Sequence, residues 1–435
     1  MKNRLVNASL LVAFFFGVDK LVALARQVIV ARAFGLDPVL DAYNASNNLP
    51  DTLFALISGG ALTIAFIPVL TETLEREGRA GGWRLFSLVA NLAFVVTAAL
   101  AALIALFPLT LAKRVITPGF PLAQQMLVAD LMRLNLIATL IFSLSGLVMG
   151  ALQANQHFLL PALAPILYNV GQIAGVTLLK PALGIHGLAY GVILGAALHL
   201  AIQVPGLIRY EFRWTPRFTL AHDGVRRVLR LMGPRILTLA CLNLIFIAND
   251  NLASRLGIVG AVSALTYGWL ILQLPETVIG TAIGTALLPT LSELAAQHRA
   301  AEIKRLLRRA VVVLLALTAP VTLLSLVLVR PAVKLVFEGQ AFTAANSELV
   351  ILSARMFLLG LVGHSLVETA ARAFYAHQDA RTPLRLAVLT LGLYIALGLA
   401  LAPMLNFAAL ALANSLAFTV EAMLMLLILR RRNIL

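Results

Sequence analysis

Along most of this chain, apolar residues run on for about twenty positions or more before a cluster of charge interrupts them. A bilayer core about 30 Å thick takes about 20 apolar residues as a helix. The runs predict twelve such helices, at roughly 5–34, 38–70, 83–110, 122–152, 157–180, 183–208, 233–256, 260–292, 307–330, 343–372, 382–402 and 404–429. Several are longer than a span requires and contain Pro or Gly, so tilted or broken helices are expected. The opening stretch MKNRLVNASLLVAFFFGVDK has a basic start and an apolar middle. No convincing small-residue cleavage site follows, and charge returns at Asp19 and Lys20, so it reads as the first span rather than a cleaved signal.

Composition agrees and excludes other classes. At 60% apolar and 12% charged residues the chain is no ordinary soluble enzyme. A net charge of +15 would suggest nucleic acid on a soluble protein, but here topology accounts for it and no nucleic-acid partner is expected. With both termini in the cytoplasm, 23 of the 34 Lys and Arg residues fall in inner segments and six in outer ones. The remaining five, Lys20, Arg26, Arg32, Arg133 and Arg355, lie within spans. This is the asymmetry of the positive-inside rule, and it places the chain as a multi-pass protein of the cell inner membrane. Two inner stretches, 222–232 and 302–312, read as amphipathic interfacial helices facing anionic membrane lipids. The single cysteine, Cys241, allows neither an internal disulfide nor a thiolate cluster. There is no Gly-rich phosphate loop with a lysine, and the seven histidines lack metal-ligand spacing. The chain is therefore expected to be a non-enzyme without a cofactor.

The two halves resemble each other. ALQANQHFLLP (151–161) aligns with AFYAHQDARTP (373–383) at an offset of 222, matching Ala151 with Ala373, Gln156 with Gln378 and Pro161 with Pro383. The segment from Pro50 likewise parallels the segment from Pro275. Six spans per half is an even number, so the halves share one orientation. The reading is an all-α integral membrane protein of two six-helix lobes, 1–215 and 216–435, around a central cavity. Such a pair supports alternating access by rocking one lobe against the other. Glycines four apart (Gly146/Gly150, Gly171/Gly175, Gly187/Gly191/Gly195, Gly280/Gly284) predict close helix packing. Pro50 and Pro275 fall mid-span in equivalent helices and predict kinks there, as hinges or as static bends.

Charges inside a membrane are costly and are functional candidates by default. Span 1 carries Asp19, Lys20, Arg26 and Arg32, and span 2 carries Asp41 and Asp51. Arg26 offers a planar fork that suits phosphate oxygens, with Asp41 as the expected counter-charge when no ligand is bound. Arg32, near the outer end, is expected to snorkel. In the second half, Asp250 with Asn249 and Asn251 could hold sodium through oxygen ligands, or could simply bond to a neighbouring helix. Glu276 sits in span 8 with no cation in that span.

At this point the ordered motifs ARQVIVARAFGLDPVLDAYNASNNLP, GALTIAFIPVLTE, GALQANQHFLLPALAPILYNVG, MGPRIL, IGTALLPTLSE, FEGQAFT and AFYAHQDARTP resemble the MurJ (MviN) family, from about residue 15 to about 430. These are lipid II flippases of the multidrug/oligosaccharidyl-lipid/polysaccharide exporter superfamily. The resemblance implies a V of two six-helix lobes. It also implies transfer of the undecaprenyl-diphosphate-linked peptidoglycan precursor from the inner to the outer leaflet. Arg26, Asp41 and Asn169 match family cavity residues, and Lys20 stands where an arginine is usual. Phe54 and Leu270 replace two family arginines understood to engage the diphosphate and sugar head. Many members continue with two more helices that form a groove for the lipid tail, whereas the sequence here runs to Arg430–Arg431–Arg432–Asn433–Ile434–Leu435. Substrate-binding roles are thus expected for Lys20, Arg26, Asp41 and Asn169, with sodium or the membrane potential as the energy source. Two other functions fit the residues: export of another polyprenyl-linked glycan or an amphipathic small molecule, and a non-transporting envelope scaffold.

Overall fold

The computed structural model of the chain describes residues 2–58, 61–297 and 299–435. Gly59 and Gly60 of the repeated segment lie outside the described residues, as do the side chains of Lys2, Arg4 and Arg235. The described residues form helices joined mostly by short turns, with a longer non-helical stretch at 210–222 and one isolated bridge between Gly339 and Phe342.

The first half contains α1 (Lys2–Phe34), α2 (Pro38–Ser46), α3 (Asn48–Leu53), α4 (Ala61–Leu106), α5 (Pro108–Leu111), α6 (Leu122–Ala154), α7 (Leu159–Ala174), α8 (Lys180–Leu183), α9 (Ile185–Ala201) and α10 (Val204–Arg209). The second contains α11 (Asp223–Arg255), α12 (Ala261–Glu276), α13 (Ala282–Ala296), α14 (Ala300–Phe337), α15 (Ala344–Leu358), α16 (Leu361–Ala376), α17 (Arg381–Leu405) and α18 (Ala408–Arg431). Short π-helical turns fall at Phe54–Ser58, Ala112–Ile116, Gly175–Leu179 and Thr277–Thr281.

Among the described residues nine helices are long and apolar enough to cross a membrane, or ten if the bent pair α15 and α16 forms one span. The chain is a multi-pass membrane protein. The count differs from the expected twelve at the first hairpin. The described part of α1 carries Asp19, Lys20, Arg26 and Arg32, too much charge for an apolar span. Residues 38–70 are divided among α2, α3, a π-turn and the start of α4. Within α4 the backbone turns at Gly78 (φ 68°, ψ −169°), joining two helices that the sequence had read as separate spans. Apolar side chains such as Leu323, Val327 and Leu335 of α14 stand exposed, as a lipid-facing surface requires.

The amphipathic stretches do not form separate helices. Residues 222–232 continue into α11, and residues 302–312 are the first turns of α14. Between Ala300 and Ala319 there is neither Gly nor Pro to end the helix, so the basic segment simply extends the span.

The chain divides into two units. Unit 1 comprises Met1–Phe34, Ala45–Ile116 and Pro121–Ala240. One of its cores gathers Phe66, Trp83, Leu85, Phe86, Leu147, Leu152 and Val225. The Trp83 indole N–H donates to Tyr210 O at 2.8 Å, which satisfies the one polar atom that ring buries. The predicted glycine contact is real: a Cβ on Gly175 would lie 2.5 Å from both Gly187 O and Gly191 Cα, so the backbones here touch directly. The Lys180 ammonium donates to Ala33 O at the end of α1.

Unit 2 comprises Gly35–Asn44, Thr117–Phe120 and Cys241–Leu435. Its core includes Leu291, Ile303, Leu307, Phe374, Met425 and Leu429. Two loops from the first half of the sequence belong to it: Leu36 N donates to Asn346 Oδ1 (3.3 Å) and Gly119 N to Ser254 Oγ (3.3 Å).

The internal repeat is visible in the backbone. Left-handed φ angles recur 222 residues apart at Gly35 and Gly257, Gln156 and Gln378, Gly184 and Asn406, and Glu211 and Asn433. The bonds recur with them. His157 N reaches Leu152 O and Asp379 N reaches Phe374 O, both at 2.9 Å, closing α6 and α16 with the same Schellman turn.

Candidate functional site

The charges of the first span lie in unit 1. Lys20 is exposed, with its ammonium 5.1 Å above the Phe16 ring. Asp19 accepts from Asn169 Nδ2 at 2.9 Å, and Asn169 also donates to Pro165 O at 3.1 Å. Asn169 is buried in α7, so its amide ties α1 to α7. Arg26 is half-buried and forms no salt bridge among the described residues. Its charge acts on Asp51 of α3, and Tyr168 feels both.

Asp41 has a different setting from the one its sequence neighbours suggest. It is buried in unit 2 and accepts from Gly260 N (2.7 Å), Ser263 N (2.8 Å) and Ser263 Oγ (2.6 Å). Those amides open α12, so the carboxylate caps that helix from a distant part of the chain. With three donors satisfied, Asp41 needs no guanidinium partner. Asp51, which the sequence offered only as a second acid in span 2, acts on Arg26 instead. Tyr168 carries no charge pattern that could have marked it.

Phe54, where the resemblance leads one to expect an arginine, packs edge-on against Phe142 (5.3 Å), and Phe142 meets Tyr168 (5.0 Å) and His199 (5.2 Å). An aromatic wall thus stands where a cation was expected. Beside Leu270, Trp269 is ringed by Phe246, Phe357 and His364.

Each of the two prolines is closely followed by a π-turn: Pro50 by Phe54–Ser58, Pro275 by Thr277–Thr281. Proline removes an amide donor and crowds the preceding turn, and a switch to i→i+5 bonding is one way a helix absorbs this. Asp250 is buried on α11; Asn249 Nδ2 donates to its Oδ1 (3.2 Å), and Tyr394 OH donates to Asn249 Oδ1 (3.0 Å). Among the described residues, no three His, Cys, Asp or Glu side chains converge as metal ligands.

Known proteins share both sequence and fold. A family model described as "Lipid II flippase MurJ" matches residues 30–435. A Burkholderia cenocepacia protein named "Lipid II flippase MurJ" is 32% identical over 445 residues, covering 99% of this chain and 84% of that protein. A solved structure of "Lipid II flippase MurJ, inward closed conformation" superposes with a TM-score of 0.82 at 22% identity, over 98% of this chain and 89% of that one. An inward-facing multidrug resistance MATE family transporter of the MOP superfamily follows at 0.80 and 15% identity, over 95% and 94%. At these identities the two structures speak for the fold alone. With matched sequence along nearly its whole length, the chain belongs to the MurJ family.

Proposed function

We propose that the protein flips lipid II from the inner to the outer leaflet of the inner membrane, with both termini in the cytoplasm. The observation that carries the reading is Arg26. It is a guanidinium that forms no salt bridge among the described residues, on the charged helix α1, in a chain that matches the flippase family over residues 30–435. A planar fork with free donors is suited to the oxygens of a diphosphate. Lys20 adds a second, exposed cation on the same helix. Asp51 then competes with the ligand for Arg26 and resets the site after release. Asn169 positions α1 by holding Asp19, and Asp41 fixes the start of α12. In this reading the lobes 1–215 and 216–435 rock about the π-turns that follow Pro50 and Pro275. Sodium at Asp250 or the membrane potential supplies the drive.

The test is flipping of purified lipid II by the protein reconstituted in vesicles, run beside a different polyprenyl-linked sugar. Arg26→Ala should lower lipid II flipping at least about tenfold, the scale of one charged hydrogen bond, and Arg26→Lys should retain part of it. Unchanged flipping by Arg26→Ala sinks the role.

The wall of Phe54, Phe142 and Tyr168 favours a second reading, export of another polyprenyl-linked glycan whose sugar rings stack there. Preferential flipping of the other lipid-linked sugar would establish it.

A further inference from the structure

One place in unit 2 gathers buried polar atoms that the protein itself leaves without partners. Ser365 and Thr369 lie one turn apart on α16, 0% and 1% exposed, and neither hydroxyl has a hydrogen-bond partner among the described residues. Buried hydroxyls are almost always paired, so each orphan calls for an explanation. Facing Ser365 is the π-turn Thr277–Thr281. A Cβ placed on Gly280 would lie 2.8 Å from Ser365 Oγ and 2.9 Å from Glu276 Oε1, so both oxygens border one small spot beside a residue with no side chain. Thr281 Oγ1 donates to both Glu276 oxygens, at 3.1 and 3.2 Å, and holds that carboxylate in place. The charged groups along this seam are Glu276, Glu368 and Arg372. Arg372 pairs with Glu368 at 2.8 Å, so the surplus is one negative charge, on Glu276.

We infer that the seam between Glu276 and the Ser365–Thr369 face of α16 binds a monovalent cation of sodium's size. A single carboxylate with neutral hydroxyls is the hard, oxygen-only donor set such an ion prefers, and one positive charge brings the seam to neutrality. An anion would meet the Glu276 charge. The π-turn beside Glu276 breaks the regular i→i+4 ladder, the kind of local irregularity that recurs at functional sites. The site lies on α12, the π-turn and α16, apart from Asp250 on α11.

Sodium binding is read on the full-length protein in detergent, with radioactive sodium and no lipid substrate, so the result is independent of which lipid is carried. Wild type should bind sodium, and sodium chloride should raise its melting temperature above that in choline chloride of equal ionic strength. Glu276→Gln, close to isosteric, should lose a binding component that Asp250→Asn retains. Ser365→Ala should weaken that component about tenfold. No binding by wild type, wild-type binding by Glu276→Gln, or complete loss in Asp250→Asn would each overturn the site. The melting temperature of Glu276→Gln in choline separates loss of the ion from loss of the fold: it should match that of wild type in choline, whereas a fall in both salts counts against the site.

Discussion

Asp379 shows how much one side chain can organise. Its Oδ1 accepts from Arg381 N and Thr382 N, both at 3.0 Å, and its Oδ2 from Thr382 Oγ1 (2.6 Å) and Arg432 Nη1 (2.7 Å). Partial burial pushes the carboxyl upward, but the Thr382 hydroxyl, the Arg432 guanidinium and the two amides outweigh it and hold the pKa at about 2. The folded value lies below the ordinary 3.8. The stabilisation is therefore fully present above about pH 4 and is lost as pH falls toward about 2. Asp379→Ala should cost about 1 kcal/mol at neutral pH through loss of the cap, read as a lower melting temperature, and the gap to wild type should close in acid. Asp41 makes the same kind of cap across 219 and 222 residues of sequence. Its type and its place in span 2 were legible. Its partners were not, because two backbone amides and a serine carry no pattern that points back to a distant aspartate.

At the scale of elements, spacing was the reliable guide. Gly171, Gly175, Gly187, Gly191 and Gly195 recur every fourth residue on α7, the following π-turn and α9, and the structure brings those backbones into contact. Gly175→Val should push these helices apart; large-to-small rules run in reverse here, and overpacking costs about 1–3 kcal/mol. Thermal unfolding of the purified variant in detergent checks it, and a melting temperature equal to wild type would show that the contact can relax. The extents of the amphipathic segments were not legible. A basic, amphipathic face looks alike on a separate interfacial helix and on the first turns of a span, and only the following residues decide. Nor could the sequence say how Pro50 and Pro275 would be absorbed. A bend was expected; a π-turn is a hydrogen-bond register, set by packing rather than by residue type.

For the whole molecule, charge arithmetic makes an orientation that can be checked directly. Cys241 is the only cysteine, so Cys241→Ser gives a background without thiols. Single cysteines at Arg217 and His377 should react with a membrane-impermeant maleimide only after the membrane is opened, whereas one at Lys113 should react in intact spheroplasts. The reverse pattern would overturn the positive-inside assignment. The number of spans was legible for the apolar helices and blurred at the first hairpin. There the charges that mark the site also make α1 look less like a membrane helix.

The matched left-handed turns carry a further consequence. At Gly184 and Asn406, and again at Glu211 and Asn433, the residue differs between the halves while the sign of φ does not. Outside glycine a positive φ is sterically unfavourable, and asparagine bears it more easily than glutamate. If the halves descend from one duplicated gene, the handedness of a corner has outlasted the letter that first made it easy. Shared ancestry in this chain can therefore be traced through its corners even where the apolar helices between them have drifted beyond alignment.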